Sequence, residues 1–298
     1  MKRLHSRLLF FFTFLAALGC EDVIEVDLPA AEPRLIVEGL IRVDRQEAFL
    51  PVRIRLRESA GFFEPLPATQ AEVVIIYVER FENGEPVGTF TSSLAEESPG
   101  SGVYIPDPDA TFDQRIPTFF LEDDVRFTLQ IRHRQRQYLA ETWYQPVVPI
   151  DYVLQGKATL QTGEETEVIV GFTDPPQEKN YYLFDFGQAL YLTTEDTFYQ
   201  GQFFQFSYFY EDPIEPGTEL TIGILGADKT FYNYMRLLIE QSELEGPFQT
   251  PVASARGNVL DVTGIDNIDR FDNTDRPGEF PLGYFAVVQQ HQRNLTVN

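Results

Sequence analysis

The chain reads as an all-β protein with one helix in its second half, built as two β-sandwich domains, the first Ig-like or transthyretin-like. Three observations predict this. Short stretches of alternating apolar and polar residues recur along most of the chain, separated at regular intervals by turn residues. A helical period occurs in one place alone. Phe 26 and Tyr 14 supply ample core, so a net charge of -23 does not make this a disordered composition.

The first segment is not part of the fold. Lys2, Arg3 and Arg7 precede an apolar run from Leu8 to Leu18, broken only by Thr13. Such a run is too short for a bilayer core of about 30 Å, which needs ~20 helical residues, and it fits a secretory signal. It ends Ala17-Leu18-Gly19-Cys20, and Cys20 is the single cysteine of the chain. Small residues before a lone cysteine resemble the bacterial lipobox, in which the thiol takes a diacylglyceryl group and becomes the first mature residue. Ala17 departs from that pattern, where leucine is commoner, and an ordinary secretory signal is the alternative. Residues 1–19 are therefore read as a lipoprotein signal peptide and 20–34 as a lipidated tether. Palmitate-type chains on Cys20 give stable anchoring when there are two or more of them.

Removing the first nineteen residues takes away three basic and no acidic residues, so the charge falls from -23 to −26. A chain this acidic does not track nucleic acid phosphates. Anionic headgroups repel it as well, so attachment to a membrane falls to the lipid.

The N-terminal β-sandwich is placed at 35–149. "RLIVEGLIRV" and "FLPVRIRLRES" have the period-two pattern of half-buried strands, with Val52, Ile54 and Leu56 alternating with Arg53, Arg55 and Arg57. "AEVVIIYVER" follows, and Asn83-Gly84 predicts a hairpin turn because both positions tolerate positive φ. "GVYIPDP" and "DVRFTLQIRHRQRQYLAETWYQP" complete about seven strands. Pro146 and Pro149 mark the boundary, and a C-terminal β-rich domain is placed at 150–298. Its strands are "TEVIVGFTD", "NYYLFDFGQALYL", "GQFFQFSYFYEDP", "ELTIGILG", "PLGYFAVVQQ" and "RNLTV". Asp228 predicts the N-cap of the helix, and Phe231, Tyr234, Met235, Leu238 and Ile239 share one helical face, with Gly246 as its stop.

"IEVDLPAAEPRLIVEG", the junction "YQPVVPID", "NYYLFDF", "FYNYMRLLIEQ", "GPFQTPVASARGNV" and "PLGYFAV" occur here in that order. Together with the lipobox they resemble a Bacteroidota family of outer-membrane lipoproteins of unknown function, often encoded near TonB-dependent receptors. The resemblance runs from about residue 20 to 298. It implies an uncharacterised outer-membrane lipoprotein and carries over no functional residue except the anchor Cys20. The acidic stretch "DNIDRFDNTDRPGEF" is longer and more charged than the family pattern.

Four constellations are candidates for chemistry. Catalysis by a triad or a zinc site needs histidine or cysteine, and the mature chain offers His133, His291 and the anchor cysteine. The expectation is no enzyme and no catalytic residue. Asp266, Asp269, Asp272 and Asp275 recur every third residue. They form either a solvated, self-repelling loop or calcium ligands, calcium being the one cofactor left open; Asp107, Asp109 and Asp113 are a weaker set. In "FFQFSYFY" one face, Phe204, Phe206, Tyr208 and Tyr210, is core. Phe203 and Phe209 on the other face, with Gln205 and Ser207, suit a ligand or a partner, unless they too pack between sheets. Arg53, Arg55 and Arg57 form a stripe in an acidic domain, read as cross-strand pairing with glutamates or as a docking surface for a partner's carboxylates. Arg126, Arg132 and Arg134 extend that patch if their strand is a neighbour.

The function expected is that of a non-catalytic outer-membrane lipoprotein, an accessory ligand- or receptor-binding partner of a TonB-dependent transporter. The alternative is a structural or adhesive cell-surface lipoprotein with no transport role. Glu21 and Asp22 resemble surface-export signals, which favours an outward-facing location.

Overall fold

The computed structural model describes residues 32–60, 64–122, 124–160, 163–242, 255–264 and 280–298. Alternation in the sequence becomes alternation of burial. In β1 (Leu35–Val43) odd-numbered residues are buried and even-numbered ones face outward. In β2 (Ile54–Glu58) Ile54 and Leu56 are buried while Arg55 and Arg57 are not. β3 (Val73–Glu82) and β4 (Glu85–Glu96) form the expected hairpin, with Asn83 and Gly84 at φ 53° and 81°. β5 (Val103–Pro106), β6 (Asp124–His133) and β7 (Arg136–Trp143) complete the first seven strands. The β6–β7 turn holds Arg134 and Gln135 at φ 49° and 64°, although neither residue type marks a left-handed turn. Arg134 pairs with the carboxylate of Glu58 at 2.9 Å, which ties the turn down.

The second half contributes β8 (Ile150–Gln155), β9 (Thr166–Thr173), β10 (Tyr181–Asp185), β11 (Tyr191–Glu195), β12 (Phe203–Tyr210) and β13 (Glu219–Ala227). Then come α1 (Lys229–Ser242), β14 (Val259–Asp261) and β15 (Leu282–Thr296). Two expectations are corrected. "NYYLFDFGQALYL" is two strands, β10 and β11, because Gly187, Gln188 and Ala189 take φ 81°, 51° and 62° and reverse the chain. "PLGYFAVVQQ" and "RNLTV" are one strand of 15 residues.

A 12-stranded sheet has the order β11-β10-β13-β15-β1-β2-β5-β4-β3-β6-β7-β14, and β12-β9-β8 form a second, 3-stranded sheet. The protein is thus mostly β, with large sheets of the sandwich kind and one α-helix among the described residues. β15 is its pivot. The first part of β15 runs parallel to β1, from Ile36 opposite Leu282 to Val43 opposite Gln289. The last part runs antiparallel to β13. The far edge of the large sheet also returns to β15. Gln145 bridges Val288. The Asn258 side-chain amide donates to Phe285 O at 2.7 Å and accepts from Phe285 N–H at 2.9 Å, as a neighbouring strand would. Backbones approach so closely here that side chains are excluded. A Cβ on Gly283, at φ +90°, would lie 1.9 Å from Val37 O. One on Gly257 would lie 1.6 Å from Gly283 O.

Residues 33–298 form one unit with three apolar clusters. The first is largely aliphatic, inside β1–β7, and is completed by Val259, Phe285 and Val287 from far along the chain. The second is aromatic, between the 3-stranded sheet and β10–β13. The third lies under α1 on the outer side of β10, β13 and β15.

Candidate functional site: a groove between helix α1 and the arginine-bearing sheet face

The groove follows from two local rules. Asp228 caps α1 as expected, its Oδ1 accepting from Phe231 N–H at 2.7 Å. The apolar face of the helix then settles on β15, with the Phe231 and Tyr234 rings 5.1 and 4.9 Å from the Tyr284 ring. Strand alternation meanwhile turns the even residues of β1 and the odd residues of β2 outward. Register places Arg55, Glu38 and Tyr284 in one row, and Arg57, Ile36 and Leu282 in the next. Helix and arginine stripe face each other across a groove of ≈ 630 Å³. Tyr234, Met235 and Leu238 form its helical wall, Ile36 and Leu40 its floor, and Arg53 and Arg55 stand on the far side.

The arginines of the stripe are engaged. Arg53 makes a two-pronged pair with Glu97 at 2.5 and 2.6 Å, and this hydrogen bond holds the Glu97 carboxyl below its ordinary value. Arg55 and Arg57 both reach Glu38, at 3.5 and 3.6 Å. Arg42 pairs with Asp185 and donates to the Tyr191 hydroxyl at 3.0 Å. The expected extension of the patch does not form, because β5, β4 and β3 separate β2 from β6. Arg126 pairs with Glu79 instead, and Arg132 with Glu72.

Two arginines that sequence reasoning passed over behave differently. Arg34 lines the groove, and its guanidinium lies 5.1 Å from the centre of the Phe280 ring. Arg256 lies 5.8 Å from the same ring. Neither guanidinium has a hydrogen-bond or carboxylate partner among the described residues. No local pattern could have found them, since 222 positions separate the two residues in the chain.

The remaining candidates scatter. Phe203 is 52% exposed and lies 6.0 Å from the Tyr152 ring, whose hydroxyl donates to Gln205. That ring lies over Gly171, where a side chain would collide with it. Phe209 is half-buried in a separate cleft of ≈ 710 Å³ beside Tyr191 and Ile239. Six strand positions, about 20 Å, lie between Phe203 and Phe209, so they do not share a site. Ser207 donates to Glu167 at 2.6 Å, and that bond, with the Ala158 N–H, keeps the Glu167 carboxyl below its usual range. His133 is buried between Gln70 O and Glu58, each 3.0 Å away, and His291 contacts Gln289. Asp113 is taken by Arg115 at 2.7 Å, which holds its carboxyl down to about 2. Cys20 and the set Asp266, Asp269, Asp272 and Asp275 lie outside the described residues. Among the described residues there is no cluster of metal-ligating side chains, and no helix is long and apolar enough to cross a membrane.

Comparison with known proteins is narrow. The family described as "Domain of unknown function (DUF4249)" matches residues 21–266. No curated protein matches the chain. Among solved structures, red sea bream transglutaminase aligns at 10% identity over 67% of this chain and 29% of its own, with a TM-score of 0.23. This chain thus spans less than a third of that enzyme. The chicken interferon gamma receptor alpha chain aligns at 11% identity over 66% of this chain and 90% of its own, with a TM-score of 0.16. Likenesses this slight carry no argument about fold or activity.

Proposed function

This chain belongs to the DUF4249 family, and on that premise we propose that it is a non-catalytic binding lipoprotein of the outer membrane, anchored through Cys20. In this reading it faces outward and works as an accessory to a TonB-dependent transporter, holding a ligand or a receptor loop in the groove under α1. The observation that carries the reading is the groove itself. An apolar cleft with a few placed polar groups is the ordinary form of a binding site, and here it combines a helical apolar wall with arginines in an acidic molecule. The two histidines of the mature chain are committed to backbone and neighbouring side chains, which favours binding over catalysis. A tether of about fourteen residues reaches roughly 20 Å. That confinement raises the effective concentration toward any barrel in the same membrane.

The test is affinity purification of the full-length lipoprotein from native outer membranes at low ionic strength. A transporter of the TonB-dependent class should be recovered, and less of it with Leu238→Asp or with Arg53→Gln, Arg55→Gln and Arg57→Gln together. Recovery of none by the wild type contradicts the transport role. The adhesive alternative has its own supporting feature. Among the described residues β12 pairs on one edge only, and "FFQFSYFY" carries no charge or proline to blunt the other.

A further inference from the structure

We infer that the groove takes a single-chain amphiphile, its carboxylate head held by Arg34 and Arg256 and its alkyl tail lying between α1 and the face of β1 and β15. This rests on the groove being the binding site, and it adds the chemical class of the ligand.

The head site stands on charge complementarity. The chain has 46 acidic against 23 basic residues, so a guanidinium without a carboxylate partner is conspicuous. Other arginines of this face are matched: Arg53 to Glu97, Arg55 and Arg57 to Glu38, Arg42 to Asp185. Among the described residues Arg34 and Arg256 have no such partner, and both rest on the ring of Phe280, itself only 8% exposed. Stacking on an aromatic face fixes the planar forks before anything binds. A carboxylate matches such a fork with two parallel hydrogen bonds. Among the described residues Glu38 is the one carboxylate lining the groove, and its charge is already answered by Arg55 and Arg57.

The tail site is the groove beyond Arg34. Leu238 and Met235 face Ile36, Leu40 and Leu282. These flexible aliphatic side chains suit a flexible chain better than a rigid polar ligand. Its ≈ 630 Å³ lies within the range of small-molecule sites, roughly 300–1,000 Å³.

The experiment is calorimetric titration of the full mature chain carrying Cys20→Ser, using dodecanoate below its micellar concentration, decanoate and dodecanol. Dodecanoate should bind at one site, and decanoate roughly tenfold more weakly for its two missing methylenes. Arg34→Gln with Arg256→Gln should weaken dodecanoate at least tenfold and leave dodecanol unchanged. Leu238→Asp should abolish both. If that change destabilises the helix by circular dichroism, Leu238→Trp fills the groove without adding charge and should do the same. Dodecanoate binding that survives the double arginine change overturns the head assignment while leaving the groove as the site. Binding of both probes that survives Leu238→Asp and Leu238→Trp overturns the groove as the amphiphile site, while receptor recovery from membranes tests the proposed function. Absence of dodecanoate binding to the unaltered chain overturns the amphiphile alone, because receptor recovery from membranes is read separately.

Discussion

The aliphatic core inside β1–β7 and the aromatic core between the two sheets solve the same problem with different side chains. In the first, Val37, Ile41, Ile54, Ile76 and Leu129 fill a sheet that curls until its far edge meets β15 again. Small branched side chains suffice because the layer closes on itself. In the second, two separate sheets face each other, and the gap is filled by rings. Phe172 alone lies within 5.1–6.0 Å of Tyr182, Phe184, Tyr199 and Phe204. Closure holds the first region together, and ring packing holds the second. β15 belongs to both, and the groove stands on the outer face of that shared strand. A site built on strands and a helix is better positioned than one on a loop.

The largest effect should come from the seam. Gly283→Ala puts a methyl 1.9 Å from Val37 O at φ +90°, so the β1–β15 pairing must open. The variant should show no cooperative melting of the full chain. Gly187→Ala, at a similar φ of +81° but with nothing within 4 Å, is its control and should cost about 1–2 kcal/mol. Equal effects of the two changes would remove the seam from the account. Next in size, Phe172→Ala should cost about 3–5 kcal/mol by denaturant titration, whereas Ile76→Val in the aliphatic core should cost about 0.5–1.5 kcal/mol.

Alkali probes the phenols of the aromatic core, and those of Tyr104, Tyr138 and Tyr144 in the first core are raised by burial too. Burial pushes the phenols of Tyr182, Tyr199 and Tyr210 well above their ordinary value, and for Tyr182 the hydrogen bond to Asp174 pushes the same way. Folded values above unfolded ones mean stabilisation that is complete below about pH 10 and is lost as pH rises toward the folded values. The absorbance of these phenolates should therefore appear together with loss of near-ultraviolet ellipticity. Their ionisation ahead of unfolding would show that the aromatic core is open to water. The smallest effect belongs to the arginine stripe. Arg53, Arg55 and Arg57 pair with Glu97 and Glu38 at the surface, where solvent screens such pairs, and replacing each by glutamine should leave the denaturant midpoint nearly unchanged.

What the sequence made legible was local. The alternation at Val52–Arg57 assigned inside and outside correctly, Asn83-Gly84 named its turn, and Asp228 named its helix. Phe204, Phe206, Tyr208 and Tyr210 were recognisable as core. What was hidden was non-local. Nothing in "PLGYFAVVQQHQRNLTV" says that it runs parallel to residues 36–43 or that Asn258 closes the sheet against it. The break at Gly187 was masked by apolar residues on both sides, and the turn at Arg134 and Gln135 uses residues that signal no turn. The groove was half legible. Its helical face and its arginine stripe were each apparent, but their meeting depends on β15 lying beside β1. The pair Arg34 and Arg256 depends on Phe280 as well.

The measurement that tests the central claim most directly places a photo-crosslinking amino acid at Leu238, in the groove, and separately at Phe198, which is 94% exposed and belongs to the aromatic region. Each full-length lipoprotein is irradiated in native outer membranes, and adducts are identified by mass spectrometry. A TonB-dependent transporter or a small amphiphile joined at position 238, and absent from position 198, is the result the account predicts. Adducts at position 198 with none at 238 would contradict it and move the working surface to the aromatic region.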